Sequence, residues 1–215
     1  MDGTLIDSEP YWIAAEQALM SAHGVDWTHE DGLQLIGNPL SVSARVMIAR
    51  GAELPEHVII DTLLADVAAQ VAGHVPWQPD ARALLDEVVA AGIPCALVTM
   101  SYGAMTEAFL AAAPGVFQAV VTGDSVARGK PDPEGYLAAA AQLGVDVTRC
   151  IAIEDSPAGA LAAYRSGAAT IGVRRLAPLE PMPGLSRVRS LAGIGVAGLT
   201  EILAGHARDE LGAER

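Results

Sequence analysis

Four short apolar runs, Ile93 to Thr99, Gln118 to Thr122, Cys150 to Glu154 and Ala169 to Val173, alternate with stretches of helical spacing, and this alternation constrains the fold most. Strands that read as continuous apolar runs are buried on both faces, which requires helices on both sides of a parallel sheet. Helices are expected at Asp80 to Ala91, Gly103 to Ala112, Pro133 to Leu143 and Pro157 to Ser166, with Gly92, Gly144 and Gly167 where helix C-caps belong. The fold class is therefore α/β, with a Rossmann-like parallel sheet. Arg174 to Ser190, carrying Pro178, Pro181 and Pro183, reads as loop, and a last helix is expected from about Val196 to Ala204.

Ahead of this region the grammar differs. From Ser8 to about Val75 the pattern is helical throughout, broken at Gly24, Gly37-Asn38-Pro39, Gly51 and Gly73. Ser8 is placed to cap a helix over Glu9 to Ala22, and Pro55 opens another in which Val58, Ile59, Leu63, Val67 and Val71 recur at helical spacing. The expected division is an α/β core of residues 1–7 and 79–205, an all-helical insert of residues 8–78, and a tail of residues 206–215, frayed from Arg208 to Arg215. Met1 to Leu5 is polar and turn-like, with no strand before it.

Charge and cysteine use narrow the function. A net charge of −13, with no basic patch, disfavours nucleic acid and anionic membrane as partners. Cys95 and Cys150 sit in apolar runs and are expected to be buried and reduced. No apolar stretch is long enough to span a membrane and no secretory leader is evident, so a cytoplasmic protein, monomeric or weakly dimeric, is expected. Twelve of the thirteen basic residues are Arg, and the single Lys is Lys130.

Four features fall at strand ends, where open parallel sheets place ligand sites. They are Asp2-Gly3-Thr4, Thr99-Met100, Gly129-Lys130-Pro131-Asp132-Pro133 and Ile153-Glu154-Asp155-Ser156. Each alone has a structural reading as a turn, a loop or a helix cap. Together they place an acid, a hydroxyl, a lone ammonium and a carboxylate pair on one sheet edge. A transferring phosphoryl group needs cationic neutralisation, directional donors and a proton donor for the leaving oxygen. Lys130 supplies a point charge, Thr99 a hydroxyl, and the backbone at Gly3 and Met100 further donors. Glu154 and Asp155 are hard oxygen ligands suited to magnesium, and Asp2 is the acid/base candidate.

Asp-Gly-Thr-Leu followed by Asp-Ser-Glu-Pro, Thr99 at a strand end, Gly-Lys-Pro-Asp-Pro and Ile-Glu-Asp-Ser-Pro-Ala-Gly, in this order from Met1 to about Val173, resemble the haloacid dehalogenase superfamily. The helical insert is similar to the cap of its phosphoglycolate phosphatase and β-phosphoglucomutase branch. The resemblance implies a magnesium-dependent phosphatase working through an aspartyl-phosphate on a small phosphorylated substrate. It also implies a metal site drawn from Asp2, through its backbone carbonyl, and Asp155, with Glu154 as a ligand or a partner behind it.

The family's first motif is Asp-x-Asp-Gly-Thr. Its second Asp corresponds to Asp2 and its x to Met1, so the nucleophile has no counterpart in these residues and the central first strand is missing or truncated. Such a strand buries about five apolar side chains worth about 7 to 15 kcal/mol together, comparable with the net stability of a whole domain, about 5 to 15 kcal/mol. The expectation is that a longer form exists and that the chain from Met1 alone is inactive or unstable. A catalytically dead phosphate-binding relic is the rival reading.

The insert bears on substrate. Between Ser8 and Gln78 there are two basic residues, Arg45 and Arg50, against nine acidic ones, a net charge of −7. A phosphomutase must grip a second phosphate, so hydrolysis is preferred over β-phosphoglucomutase-like chemistry, with a sugar phosphate as the expected substrate. Trp12 and His23 are candidates to line the cleft, with packing the favoured role for Trp12.

Overall fold

The computed structural model describes residues 1–212. The chain divides into two compact units: Met1–Asp7, Trp77–Gly103 and the residues from Ala113 onward form one, and Ser8–Pro76 with Ala104–Ala112 form the other.

The second unit is all helical. It contains α1 (Glu9–Ala22), α2 (His29–Leu33), α3 (Leu40–Ala49) and α4 (Glu56–Gly73). Ile59, Leu63, Val67 and Val71 of α4 are fully buried at i, i+4 spacing, so one stripe of this 18-residue helix faces the unit's interior. Thr28 caps α2 reciprocally with Asp31, and Pro39 and Pro55 precede α3 and α4 in extended conformation. Ser8 precedes α1 without a side-chain cap bond. Trp12 is half-buried and His23 exposed.

The first unit is α/β. In chain order it contains α5 (Pro79–Ala90), β1 (Ala96–Val98), the start of α6 (Gly103–Ala111), β2 (Ala119–Val121), α7 (Glu134–Leu143), β3 (Ile151–Glu154), α8 (Pro157–Ser166), β4 (Ala169–Val173), β5 (Ser186–Val188) and α9 (Gly195–Leu203). Gly144 and Gly167 end α7 and α8 in the left-handed region, at φ 69° and 89°. All strand pairings within the sheets are parallel, and they form two pieces: β1 with β2, and β3 with β4 and β5. Ala81 and Leu84 of α5, Ile171 and Val173 of β4, Val188 of β5 and Leu199 and Ile202 of α9 build the main core. This is a Rossmann-like core with an inserted helical domain.

The structure differs from the sequence reading at four places. The loop expected from Arg174 to Ser190 contains β5, whose three residues pair with β4. The tail is docked through residue 212: Arg187 donates to Asp209 Oδ2 and the Gly212 carbonyl, both at 2.7 Å, and Leu211 is 5% exposed. Residues 213–215 of that tail lie outside the described residues. Most of α6, read with the α/β core, groups with the helical unit, where Met105 and Phe109 are fully buried. Cys95 and Cys150 are half-buried instead of buried.

Candidate active site

The C-terminal ends of β1 and β3, the loop before α7 and the Met1–Ile6 turn bring the predicted residues together. Met1 is buried, and its carbonyl accepts from Leu5 N and Ile6 N at 2.7 and 3.2 Å, which folds the N-terminus into a tight turn. Gly3 occupies φ +70°, and a side chain there would place its Cβ 1.9 Å from Asp155 Oδ2. Only glycine meets both demands. Thr4, buried, donates its hydroxyl to Asp155 Oδ1 at 2.6 Å.

Asp2 is fixed from β1. Ser101 donates to Asp2 Oδ2, while Thr99, 3% exposed, donates to Ser101 Oγ at 3.1 Å and accepts from Ser101 N at 3.1 Å. The Met100 sulfur accepts from Lys130 N at 3.4 Å, so the strand end and the lysine loop are tied directly.

Lys130 reaches back under the sheet edge. Its Nζ donates to the Val98 carbonyl at 3.1 Å and pairs with Glu154 Oε1, which also accepts from the Tyr136 hydroxyl. The ammonium lies 5.4 Å from the centre of the Tyr136 ring. Side-chain exposure is 11% for Lys130 and 6% for Glu154, so this is a buried ion pair. Gly159, at the start of α8, leaves room for Glu154: a Cβ there would lie 2.0 Å from Oε2.

Burial raises the Asp155 carboxyl above its ordinary range against the opposing pull of Thr4, and the neighbouring Glu154 adds to the rise. Burial likewise lowers the Met1 α-amine, with Lys130 contributing in the same direction. Tyr136 is held well above its usual value by burial and then by Glu154, so it remains a hydroxyl donor. A second carboxylate braces the turn from below. Asp80 receives Arg175 through two bonds of 2.7 and 3.1 Å, plus Ser190 Oγ and Leu191 N, and Arg175 Nε donates to the Gly3 carbonyl at 3.2 Å. Although burial opposes it, the Arg175, Ser190 and Leu191 donors hold the Asp80 carboxyl well below the usual range.

The structure thus gathers all seven predicted residues: Asp2, Gly3, Thr99, Met100, Lys130, Glu154 and Asp155. Sequence reasoning missed Ser101, Tyr136 and the Asp80–Arg175 brace. Ser101 carried a signal, since it follows Thr99 by two residues at a strand end; Tyr136 and Arg175 are recognisable only from tertiary contacts. Among the described residues, no three His, Cys, Asp or Glu side chains converge as a ready-made metal cage.

An acid, a buried ammonium and an Asp over a glycine turn at parallel strand ends can hold and neutralise a phosphoryl group. Residues 1–173 match the haloacid dehalogenase-like hydrolases, and the chain belongs to that family as a phosphoric monoester hydrolase by type. It is 34% identical to the validoxylamine A 7'-phosphate phosphatase of Streptomyces hygroscopicus subsp. limoneus over 80% of this chain and 82% of the relative. It is 33% identical to hexitol phosphatase A of Escherichia coli K12 over 80% of each. Among solved structures, CbbY of Rhodobacter sphaeroides in complex with phosphate superposes with a TM-score of 0.77 at 30% identity, covering 93% of this chain and 96% of that one. No helix among the described residues is long and apolar enough to cross a membrane.

Proposed function

We propose that this protein is a magnesium-dependent phosphatase of a small phosphorylated metabolite, with a sugar phosphate as substrate. The observation that carries the reading is the convergence of Asp2, Thr99, Lys130 and Asp155 at the ends of β1 and β3. The relatives named validoxylamine A 7'-phosphate phosphatase and hexitol phosphatase A support the substrate class.

In this reading Thr99, the backbone at Gly3 and Met100, and the Lys130 ammonium receive the phosphate oxygens. Ser101 orients the Asp2 carboxyl, which protonates the leaving oxygen and then takes a proton from the attacking water. The donor set suits magnesium, which needs only one or two carboxylates beside substrate and water: Asp155 lies against the Gly3 turn, and the Asp2 carbonyl is adjacent. The ion would neutralise phosphate charge. Glu154, with Oε1 engaged by Lys130 and Tyr136, holds the lysine in place and is not itself a ligand in this scheme. The attacking carboxylate of the family's first motif has no counterpart among the 215 residues, so its step is assigned to none of them.

Hydrolysis is favoured over mutase chemistry by the helical unit, where both basic residues are already paired. Arg50 bonds Asp31 at 2.9 Å and stacks 5.3 Å from the Trp27 ring centre, and Arg45 meets Glu56 at 3.4 Å. Neither is left to grip a second phosphate.

The test is phosphate release from a panel of sugar phosphates by two forms, one beginning at Met1 and one extended by an apolar strand ending in Asp directly before Met1. Magnesium-dependent release by the extended form, abolished by Asp155→Asn, is expected. No release from any substrate, with phosphate bound equally by both forms, would establish the phosphate-binding relic instead.

A further inference from the structure

Glu154, which holds the Lys130 ammonium, is one end of a row that crosses the sheet. In the parallel register it lies beside Gly172 of β4, Gly172 lies beside Arg187 of β5, and Arg187 lies beside Asp209. Register neighbours in a sheet turn their side chains to the same face, so these four positions share one face and span about 14 Å at about 4.8 Å per strand. The row leads from the site to residues 208–212, and both Arg187 and that segment lie beyond the residues 1–173 that match the family.

Arg187 grips the far end. Its N donates to the Arg208 carbonyl at 2.7 Å and its carbonyl accepts from Glu210 N at 2.8 Å, so residues 208–210 pair along the outer edge of β5. Its guanidinium, in a residue 4% exposed, donates to Asp209 Oδ2, the Gly212 carbonyl and the Leu179 carbonyl at 2.7, 2.7 and 2.9 Å. A rigid planar fork holds three such acceptors in fixed directions. Two apolar side chains carry that grip to Glu154. Leu179 lies over Gly172, where a Cβ would come within 2.9 Å of its Cδ1, so it fills the gap in the row between Arg187 and Glu154. Leu211 packs with Leu179 and Ala160 of α8. The adjacent Gly159 is the residue against which Glu154 Oε2 rests, and its N–H donates to Ser156 Oγ at 3.1 Å. Glu154 is therefore bounded on the strand side by Gly172 under Leu179, and on the helix side by Gly159 beside Ala160. Arg187 and Leu211 hold both boundaries.

We propose that Arg187 and residues 208–212 form a latch that positions Glu154, and through it the Lys130 ammonium, for phosphate. Arg187 and Leu211 are positioning residues that act through Leu179 and α8. An ammonium has three N–H bonds; the Val98 carbonyl and Glu154 take two, and the direction of the third follows from theirs. With the latch closed, Glu154 has one arrangement and the third N–H one direction. With it open, Leu179 and the start of α8 give way, Glu154 gains room, and that direction is lost. The effect on phosphate rests on the phosphatase reading; the placement of Glu154 does not.

The experiment uses the 215-residue chain and four variants. Arg187→Met and Leu211→Ala open the latch, Leu211→Met restores its apolar volume, and Val67→Ala, at a fully buried position of the helical unit, costs stability elsewhere. Affinity for inorganic phosphate is measured by calorimetry, and amide exchange at Gly159 and Ala160 by NMR, under conditions where circular dichroism shows each variant folded. The two latch-opening variants are expected to weaken phosphate binding about 3- to 30-fold and to speed exchange at both amides about 10-fold. Leu211→Met and Val67→Ala should match the parent in both. If Arg187→Met does not fold, the two Leu211 variants carry the comparison. If the parent itself binds no phosphate, the phosphatase reading fails and exchange alone decides whether the latch places Glu154. Exchange at Gly159 and Ala160 unchanged by opening the latch, phosphate affinity unchanged in a parent that binds it, or equal effects from Val67→Ala would overturn the proposal.

Discussion

Replacing Lys130 by Met is the most informative single perturbation, because it separates what this residue does for the fold from what it does for phosphate. The pair with Glu154 is almost entirely enclosed, at 11% and 6% side-chain exposure. By contrast the Arg82–Asp86 pair, at 43% and 58%, belongs to the class worth about 0.3 to 0.5 kcal/mol. Deleting the ammonium leaves a buried carboxylate supported by the Tyr136 hydroxyl and by a Ser156 hydroxyl 3.5 Å away. A buried charge stripped of its partner costs about 3 to 5 kcal/mol, a large part of a net stability of about 5 to 15 kcal/mol. Changing Glu154 to Gln in the same molecule removes the stranded charge and keeps an acceptor for Tyr136. The double variant is expected to recover most of the loss, to within about 1 to 2 kcal/mol of the parent. Urea denaturation midpoints at constant slope measure this, and phosphate affinity on the same samples measures the other role. Lys130→Met and the double variant should both bind phosphate poorly, although only the first is unstable. Equal destabilisation of the two, or full phosphate binding by the double variant, would refute the assignment of Lys130 as both a buried counter-ion and the phosphate cation.

Glu16 gives the helical unit a pH dependence. Burial, with Glu9 adding to it and the 3.4 Å Trp27 bond opposing it, lifts its carboxyl from 4.5 to about 7. Between those values the native state keeps a proton that the unfolded chain has released, so stability falls as pH rises through the window. The loss is at most about 3 kcal/mol and nearer 2 after solvent screening. Glu16→Gln should flatten this slope and raise the melting temperature at pH 8; an unchanged slope would show that the carboxylate is not the titrating group. Gly3→Ala forces a Cβ into Asp155 Oδ2 at a positive φ, and a loss of about 1 to 3 kcal/mol together with weaker magnesium binding by calorimetry is expected. Leu211→Ala, in the docked tail, should cost about 2 to 5 kcal/mol in thermal unfolding; a tail without structural weight would leave the midpoint unchanged.

Legibility in the sequence followed the physics of each signal. The strands were readable because burial on both faces leaves an uninterrupted apolar run, as in Ala169–Val173, which the structure reproduces residue for residue. β5 was not, because three residues among prolines, with Arg187 at their centre, have no apolar run to display. Arg187 is nevertheless 4% exposed, its charge met by Asp209 and by the carbonyls of Leu179 and Gly212. The same limit explains the site. Residues that meet ligand chemistry at a strand end declare themselves by type and position, as Asp2, Thr99 and Lys130 do. Residues that hold those in place do not: Tyr136 looks like any aromatic on a helix, and Arg175 like any loop cation, until Glu154 and the Gly3 carbonyl are found against them. The half-burial of Cys95 and Cys150 belongs to this second kind. Their apolar neighbours promised a closed interior, yet both thiols stay half-buried. An apolar run shows that a strand is meant to be enclosed on both faces; only the arrangement of its neighbours shows whether both of its edges are.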